Sequence, residues 1–283
     1  MSDRYAVIGN PIGHSKSPMI HRAFAAQTGQ DLEYTAIEAS IGGFAAAVTG
    51  FRAQGGRGLN ITAPFKLDAF AYATKLLERA RLAGATNAML FVGDEVEADN
   101  FDGVGLLRDL EQNHGILLRG KRVLLLGAGG AARGALQPFL EARPAELVIV
   151  NRTVAKANAL GEEFAPYGAV ITTDYDTLAA ERPGRYDVVV NATSASLRGE
   201  LPPVPKSVFG KTSFVYELAY GKGLTPFLHL ARDAGVERGC DGVGMLVEQA
   251  AEAFAWWRGV RPDTRSMIEQ LTVPLLSPSA VRH

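Results

Sequence analysis

Short apolar runs rich in Val, Ile, Leu and Tyr recur along the chain, bounded by Gly, Pro and Asn. Between them lie stretches whose apolar residues return every three or four positions. The first pattern reads as buried strand and the second as helix. From the N-terminus this predicts a strand over RYAVIG and then the loop GNPIGHSKSP, whose prolines and glycines stop any regular element. A helix follows from Pro18 to Thr28, with Ser17 as N-cap, Pro18 at its first position and Gly29 just past its end. Next come strand LEYTAIEA, a helix over 44–53, strand GLNITA and a helical run after Pro64. The hairpin AMLFVGDEVEAD turns at Gly93-Asp94 and leads into NFDG, where Asp102 is expected to cap the helix GVGLLRDLEQ. Such alternation points to an open α/β sheet covered on both faces.

A second unit starts at Lys121. The run RVLLL reads as a buried parallel strand, and it is followed by a glycine-rich turn, a helix to about Arg143 and strand ELVIVN. Strand, turn, helix and strand make a βαβ unit of the Rossmann type. Strands at GAVITT, YDVVVNAT and SFVYELAY continue the pattern, and a helix apolar on one face spans 242–258. The fold class expected is therefore α/β, with two open α/β domains and an active-site cleft between them. Residues 1–102, joined by C-terminal helices from 241–283, form the first domain, and 103–240 form the dinucleotide-binding one.

Composition narrows the function. The chain has 283 residues, 47% of them hydrophobic, enough for a sizeable core. With 29 Lys and Arg against 30 Asp and Glu, the net charge of -1 gives no reason to expect nucleic acid or a membrane surface. Small molecules are the expected partners. The single cysteine excludes an internal disulfide, and the start MSDRYAVIGN lacks the features of a signal peptide, so a cytoplasmic location is expected. No uninterrupted apolar window is long enough for a membrane helix.

Gly127, Gly129 and Ala132 match the G-x-G-x-x-G/A fingerprint in its required setting, between a strand and a helix. Gly127, Ala128, Gly129, Gly130 and Ala131 are the candidate phosphate-facing residues, lying where helix amides and dipole favour negative charge. The next strand ends in Asn151-Arg152-Thr153. An acidic residue there would bind a ribose hydroxyl and repel a 2′-phosphate, whereas Arg152 grips a phosphate with a forked cation, helped by Asn151, Thr153 and Lys156. NADP is expected rather than NAD.

In the first unit, Ser15-Lys16-Ser17, Asn60 to Lys66, Asn87, and Asn100 with Asp102 all fall at expected strand ends. Strand ends in an open α/β sheet face one crevice, so these groups converge on a polyhydroxylated ligand. His14 and His21 read as structural. Cys240, with no second cysteine and no partner histidine near it in sequence, reads as a small buried residue rather than a nucleophile or ligand, and no metal motif appears. Trp256 and Trp257 read as helix packing residues.

The ordered blocks GNPIGHSKSP, LNITAPFK, LAGATNA, NFDGVGLL, GAGGAARG, VNRT, NATS, KGLTPFL and CDGVGMLVEQA cover nearly the whole chain. Together they resemble the shikimate dehydrogenase family. The resemblance implies reversible NADPH-dependent reduction of 3-dehydroshikimate to shikimate, in aromatic amino acid biosynthesis, by a monomer or homodimer. It implies Lys66 and Asp102 as the catalytic pair, and Ser15 and Ser17 as ligands of the substrate carboxylate. Thr62, Asn87, Tyr220 and Gln249 match the other substrate-binding positions, Asp102 faces substrate too, and Asn60 supports them. Leu218 and Gly242 fall where relatives meet the nicotinamide end. Chemically, hydride addition to a ketone carbon requires a proton at its oxygen, and an ammonium oriented by a carboxylate can either supply that proton or stabilise the developing charge, which leaves the formal donor open.

The chain departs from the family pattern at Phe101, where Thr is usual, and at Ala63 and Glu217. A bulky ring at 101 is expected to crowd or dry the surroundings of Asp102. Two other readings keep the same residues: a quinate/shikimate dehydrogenase of broader range, and a non-catalytic NADP-responsive regulator. An adenosylmethionine-dependent transferase is disfavoured, since Arg152 would have no phosphate to meet. Replacing Arg152 with Asp is expected to weaken NADP binding at least about tenfold and turn the preference toward NAD, read by binding titration of each nucleotide. Unchanged NADP affinity would remove the ground for choosing the phosphorylated cofactor.

Overall fold

The protein is described by a computed structural model over residues 2–181, 185–221 and 223–275. Lys222 of the KGLTPFL block and the end of the expected C-terminal segment, 276–283, lie outside the described residues. The chain forms two compact α/β units. Among the described residues the first comprises 2–105 and 246–267, and the second 106–245 and 268–275. Residues 241–245 and 268–275, expected with the first domain, thus group with the second.

Unit 1 carries strands β1 (Asp3–Gly9), β2 (Leu32–Glu38), β3 (Gly56–Ile61), β4 (Lys75–Leu76), β5 (Ala88–Val92) and β6 (Glu95–Asp99), in the sheet order β2-β1-β3-β5-β6-β4. Strands β1, β2 and β3 are parallel, and β5 runs antiparallel to both β3 and β6, closing the expected hairpin at Gly93. Its helices are α1 (Ser17–Thr28), α2 (Phe44–Ala53), α3 (Lys66–Tyr72), α4 (Glu78–Ala83) and the start of α5 (Asp102–Arg108). On one face of the sheet, Ile8, Leu59, Ile61 and Met89 pack against Phe44, Val48 and Phe51 of α2. Such alternation of buried side chains follows from the two-residue period of a strand. Register decides the site. Asn60 pairs opposite Ala88, and Ala88 opposite Asp99, so the residues just beyond these three strand ends are neighbours.

Two local expectations need correction. Ser17 is the first helical residue of α1 rather than its cap. Lys16 holds that position, and the Ser17 N–H donates to Ser15 Oγ at 3.3 Å. Likewise Asp102 opens α5 from within, and its N–H is taken by Asn100 Oδ1 at 3.0 Å. That helix also does not run on unchanged, because residues Asp109–Asn113 widen into a π-turn. The left-handed Gly29 closes α1 as expected.

Unit 2 holds β7 (Arg122–Leu126), β8 (Glu146–Val150), β9 (Ile171–Thr173), β10 (Val188–Asn191), β11 (Phe214–Glu217) and β12 (Arg238–Cys240). All are parallel, in the order β12-β11-β10-β7-β8-β9. With α6 (Gly130–Glu141), α7 (Val154–Phe164), α8 (Tyr175–Glu181) and α9 (Pro226–Asp233) this is the doubly wound dinucleotide-binding arrangement. Strands β7, β8, β10 and β11 are buried on both faces, which is why they read as continuous apolar runs. Near the C-terminus come α10 (Val243–Arg258) and α11 (Arg265–Leu271). Within unit 1, Trp257 of α10 stacks on Tyr5 with ring centroids 4.7 Å apart, and its Nε1 donates to the Met89 carbonyl at 3.0 Å. Trp256 packs edge-on to Phe101. Both tryptophans are packing residues.

His21 of α1 is a core histidine. Its ring lies flat on Tyr34 at 4.2 Å and is fully buried, with Asn60 the polar side chain that acts on it. Burial pushes its pKa from 6.5 down to about 3. Below pH 6.5 the unfolded chain therefore takes a proton that the folded one refuses, so stability falls as pH drops toward 3 and is unaffected above 6.5. In urea titrations followed by tryptophan fluorescence, His21→Leu is expected to gain on the wild type progressively through that window. Parallel profiles for the two proteins would contradict the buried neutral ring.

Candidate active site

At the strand ends of unit 1, four of the expected side chains form one hydrogen-bonded chain. Lys66, the first residue of α3, donates from Nζ to Asp102 Oδ2 at 2.5 Å. Asn87, just before β5, donates from Nδ2 to the other carboxylate oxygen at 2.8 Å and to Gln249 Oε1 at 3.3 Å. The Asn87 Oδ1 is used as well, accepting the Phe101 N–H at 2.9 Å. Asp102 is thus held by both oxygens. Lys66 spends one ammonium proton on it and keeps two donors, with its side chain 34% exposed. Gln249, on α10, is pinned by its own Nε2 on the Leu246 carbonyl at 2.8 Å.

Behind this chain, buried Asn60 accepts the Tyr34 hydroxyl at 2.6 Å and donates to the Asn87 carbonyl at 3.4 Å. Tyr34 also meets the side chain of Ser17. Its hydroxyl therefore ties the serine loop to the asparagines, a link the sequence reading missed, because a tyrosine inside strand LEYTAIEA carries no chemical signal of its own. Ser17 is buried and Ser15 half-buried in the same turn. Thr62 lies beside Gly9, where an added Cβ would fall 2.5 Å from its Cγ2, so the close approach of the two loops requires glycine. The Phe101 ring is buried among Ala88, Ala253 and Trp256.

Unit 2 contains a cavity of about 450 Å³ whose lining includes every candidate from the glycine turn, Gly127 to Ala131, and from Asn151, Arg152, Thr153 and Lys156. Gly127 has φ +103°, a backbone setting that side chains rarely adopt, and Gly129 caps α6 so that the helix amides open on the cavity. Asn151 Nδ2 donates to the Thr153 carbonyl at 2.9 Å, shaping the turn that presents Arg152. Burial pushes the Tyr175 hydroxyl, on the cavity wall, up to about 12, against the pull of the Arg152 charge. This glycine cradle with cations at its far wall fits a dinucleotide bearing a 2′-phosphate. Two lining residues had no sequence signal: Arg198, which donates to both oxygens of Glu200 at 2.9 and 2.7 Å and to Ser194 Oγ at 2.8 Å, and Glu200 itself.

Leu218, Tyr220 and Gly242 also belong to unit 2. Gly242 packs on the Leu218 carbonyl, and Tyr220 is 45% exposed. Asp241 accepts from the Gly221 and Val243 N–H groups and so fixes the Gly242 turn. Buried Glu217 gathers Asn191, Thr225 and the Ala219 N–H, with Ser196 also in contact. Its carboxyl is raised by burial, opposed by those hydrogen bonds.

Three family models match the chain in succession: the shikimate dehydrogenase substrate binding domain over residues 7–89, shikimate/quinate 5-dehydrogenase over 109–198, and the shikimate 5′-dehydrogenase C-terminal domain over 242–272. The NADP(+) shikimate dehydrogenase of Nitrosospira multiformis is 53% identical, covering 98% of this chain and 100% of its own. The Ael1 enzyme of Pseudomonas putida is similar in structure with a TM-score of 0.93 and 61% identity, over 97% of this chain and 100% of its own. The shikimate 5-dehydrogenase of Thermus thermophilus, solved with NADP(H) and shikimate, has a TM-score of 0.82 and 31% identity, over 94% and 97% of the two chains. Alike in sequence along both units and in fold to these enzymes, the chain belongs to the NADP-dependent shikimate dehydrogenase family.

Proposed function

We propose that Lys66 and Asp102 are the catalytic pair through which this protein reduces 3-dehydroshikimate to shikimate. The observation that carries the reading is the Lys66–Asp102–Asn87 chain, which leaves an ammonium with two free protons beside a carboxylate fixed at both oxygens. Bound NADPH supplies the hydride. As it adds to the ketone carbon, Lys66 gives the ketone oxygen its proton, and Asp102 holds the ammonium in line. Ser15 and Ser17 bind the substrate carboxylate. Thr62, Asn87, Tyr220 and Gln249 bind its hydroxyls or carboxylate, and Asn60 acts from behind by fixing Asn87. Arg152, Thr153 and Lys156 hold the 2′-phosphate, and Leu218 and Gly242 meet the nicotinamide end. In this reading residues 1–102 with the C-terminal helices are the substrate half, and 103–240 the cofactor half.

The near-neutral net charge and single cysteine support a cytoplasmic protein that handles small molecules rather than nucleic acid or membranes, and membership of the family supports a monomer or homodimer. Among the described residues no helix is long and apolar enough to cross a membrane. With shikimate and NADP in the oxidative direction, Lys66→Ala is expected to lower kcat by roughly two to four orders of magnitude while KM stays near the wild-type value. Wild-type turnover in that variant would end the assignment, and turnover of quinate at the rate of shikimate would move the enzyme to the broader class.

A further inference from the structure

Asp109, His114 and Cys240 are scattered in sequence, and unit 2 folds them into one cluster. A carboxylate oxygen, a ring nitrogen and the thiol sulfur lie within 4.8 Å of one another. Asp109 opens the π-turn, in which the His114 N–H reaches back to the Asp109 carbonyl at 3.2 Å, and the widened turn places the two side chains on one side. Turns of this kind are rare and gather at functional sites. Cys240 arrives from the end of β12.

The spacing is that of ligands rather than of hydrogen bonds. His114 Nε2 stands 3.6 Å from Asp109 Oδ2, too far for a hydrogen bond, whereas two N and O ligands of a tetrahedral zinc lie about 3.4 Å apart. Closing the sulfur by roughly 1 Å from the 4.8 Å limit completes the set. The ligands are also held from behind. Asp109 is buried and accepts Asn113 Nδ2 at 2.8 Å and the Tyr216 hydroxyl at 2.6 Å, which fix its orientation. Arg238 Nη2 donates to the His114 carbonyl at 2.9 Å, and the histidine ring rests on Phe214 at 5.0 Å. The His114 side chain is 30% exposed, giving an ion a way in.

We propose that Asp109, His114 and Cys240 form a three-ligand site for a thiophilic divalent cation of the zinc class, with the fourth position left to water. Mixed thiolate, imidazole and carboxylate ligation selects such ions over magnesium or calcium. Binding releases the thiol proton to solvent as the sulfur–metal bond forms, with no change of oxidation state.

The test is a titration of the metal-free full-length protein with Co²⁺, followed by competition of Zn²⁺ against a chromophoric chelator. One equivalent of Co²⁺ is expected to give a thiolate-to-metal charge-transfer band that Cys240→Ser abolishes, and His114→Gln should weaken Zn²⁺ at least about tenfold. NADP binding by each variant checks that unit 2 is folded. Should Cys240→Ser not fold, the partly exposed His114→Gln and the wild-type band still decide. No thiolate band in the wild type, or Zn²⁺ affinity unchanged in His114→Gln, would overturn the site.

Discussion

The side-chain amide of Asn87 is the joint on which the unit 1 site depends. Its two protons go to Asp102 and Gln249 and its oxygen takes the Phe101 N–H. Its backbone, meanwhile, bridges the strands on either side: the Asn87 carbonyl accepts from Ile61 N–H at 2.8 Å, and its N–H donates to the Asp99 carbonyl at 3.1 Å. A residue with every donor and acceptor engaged has one orientation, and that orientation sets where the Asp102 carboxylate, and so the Lys66 ammonium, must stand. A slip of one residue in the β3–β5 or β5–β6 register would turn the amide to the other face and dismantle the chain at once.

Unit 2 uses a buried acid for the same end. Glu217 collects Asn191, Ser196, Thr225 and the Ala219 N–H, joining β10, β11, the loop after β10 and the start of α9. Asn191 in turn accepts the N–H and hydroxyl of Thr193 at 3.1 and 2.7 Å, and Thr193 lines the cofactor cavity. Burying a carboxylate without partners is costly, and burial here raises its pKa; several hydrogen-bond donors offset that cost and leave a rigid pocket wall.

How much of this was legible in the sequence follows from the range of each interaction. Strands β7 and β8 and the glycine turn between them are set by residues close in the chain, and periodicity with one fingerprint finds them. Lys66 and Asp102 are 36 residues apart, yet both sit at strand ends, so the topology of an open sheet already puts them in one crevice. Tyr34, Glu217 and Arg198 escape because what distinguishes them is their partners, and partners at long range leave no local pattern. Cys240 shows the same limit. Read along the chain it is solitary, and only the pairing of β12 with β11, next to the π-turn, brings a histidine to it. At helix starts the error is smaller: capping residue types were recognised, but the side chain that takes the first helical N–H stands two residues earlier, at Ser15 and Asn100.

Phe101, the departure between Asn100 and Asp102, is spent on packing. Asn100 and Asp102 are joined by a turn hydrogen bond, and the ring of the residue between them is buried in an apolar cluster. Its ring fills the space left by two alanines, Ala88 and Ala253, both fully buried, and meets Trp256 edge-on while the Arg79 guanidinium lies 5.0 Å from the ring centre. A smaller residue at 101 would leave a cavity there unless its neighbours grew, so the three positions act as one packing unit. What Phe101 contributes to the site is its N–H, held by Asn87. The ring packs in the core, while the backbone N–H beside it helps to hold the amide that reaches Asp102.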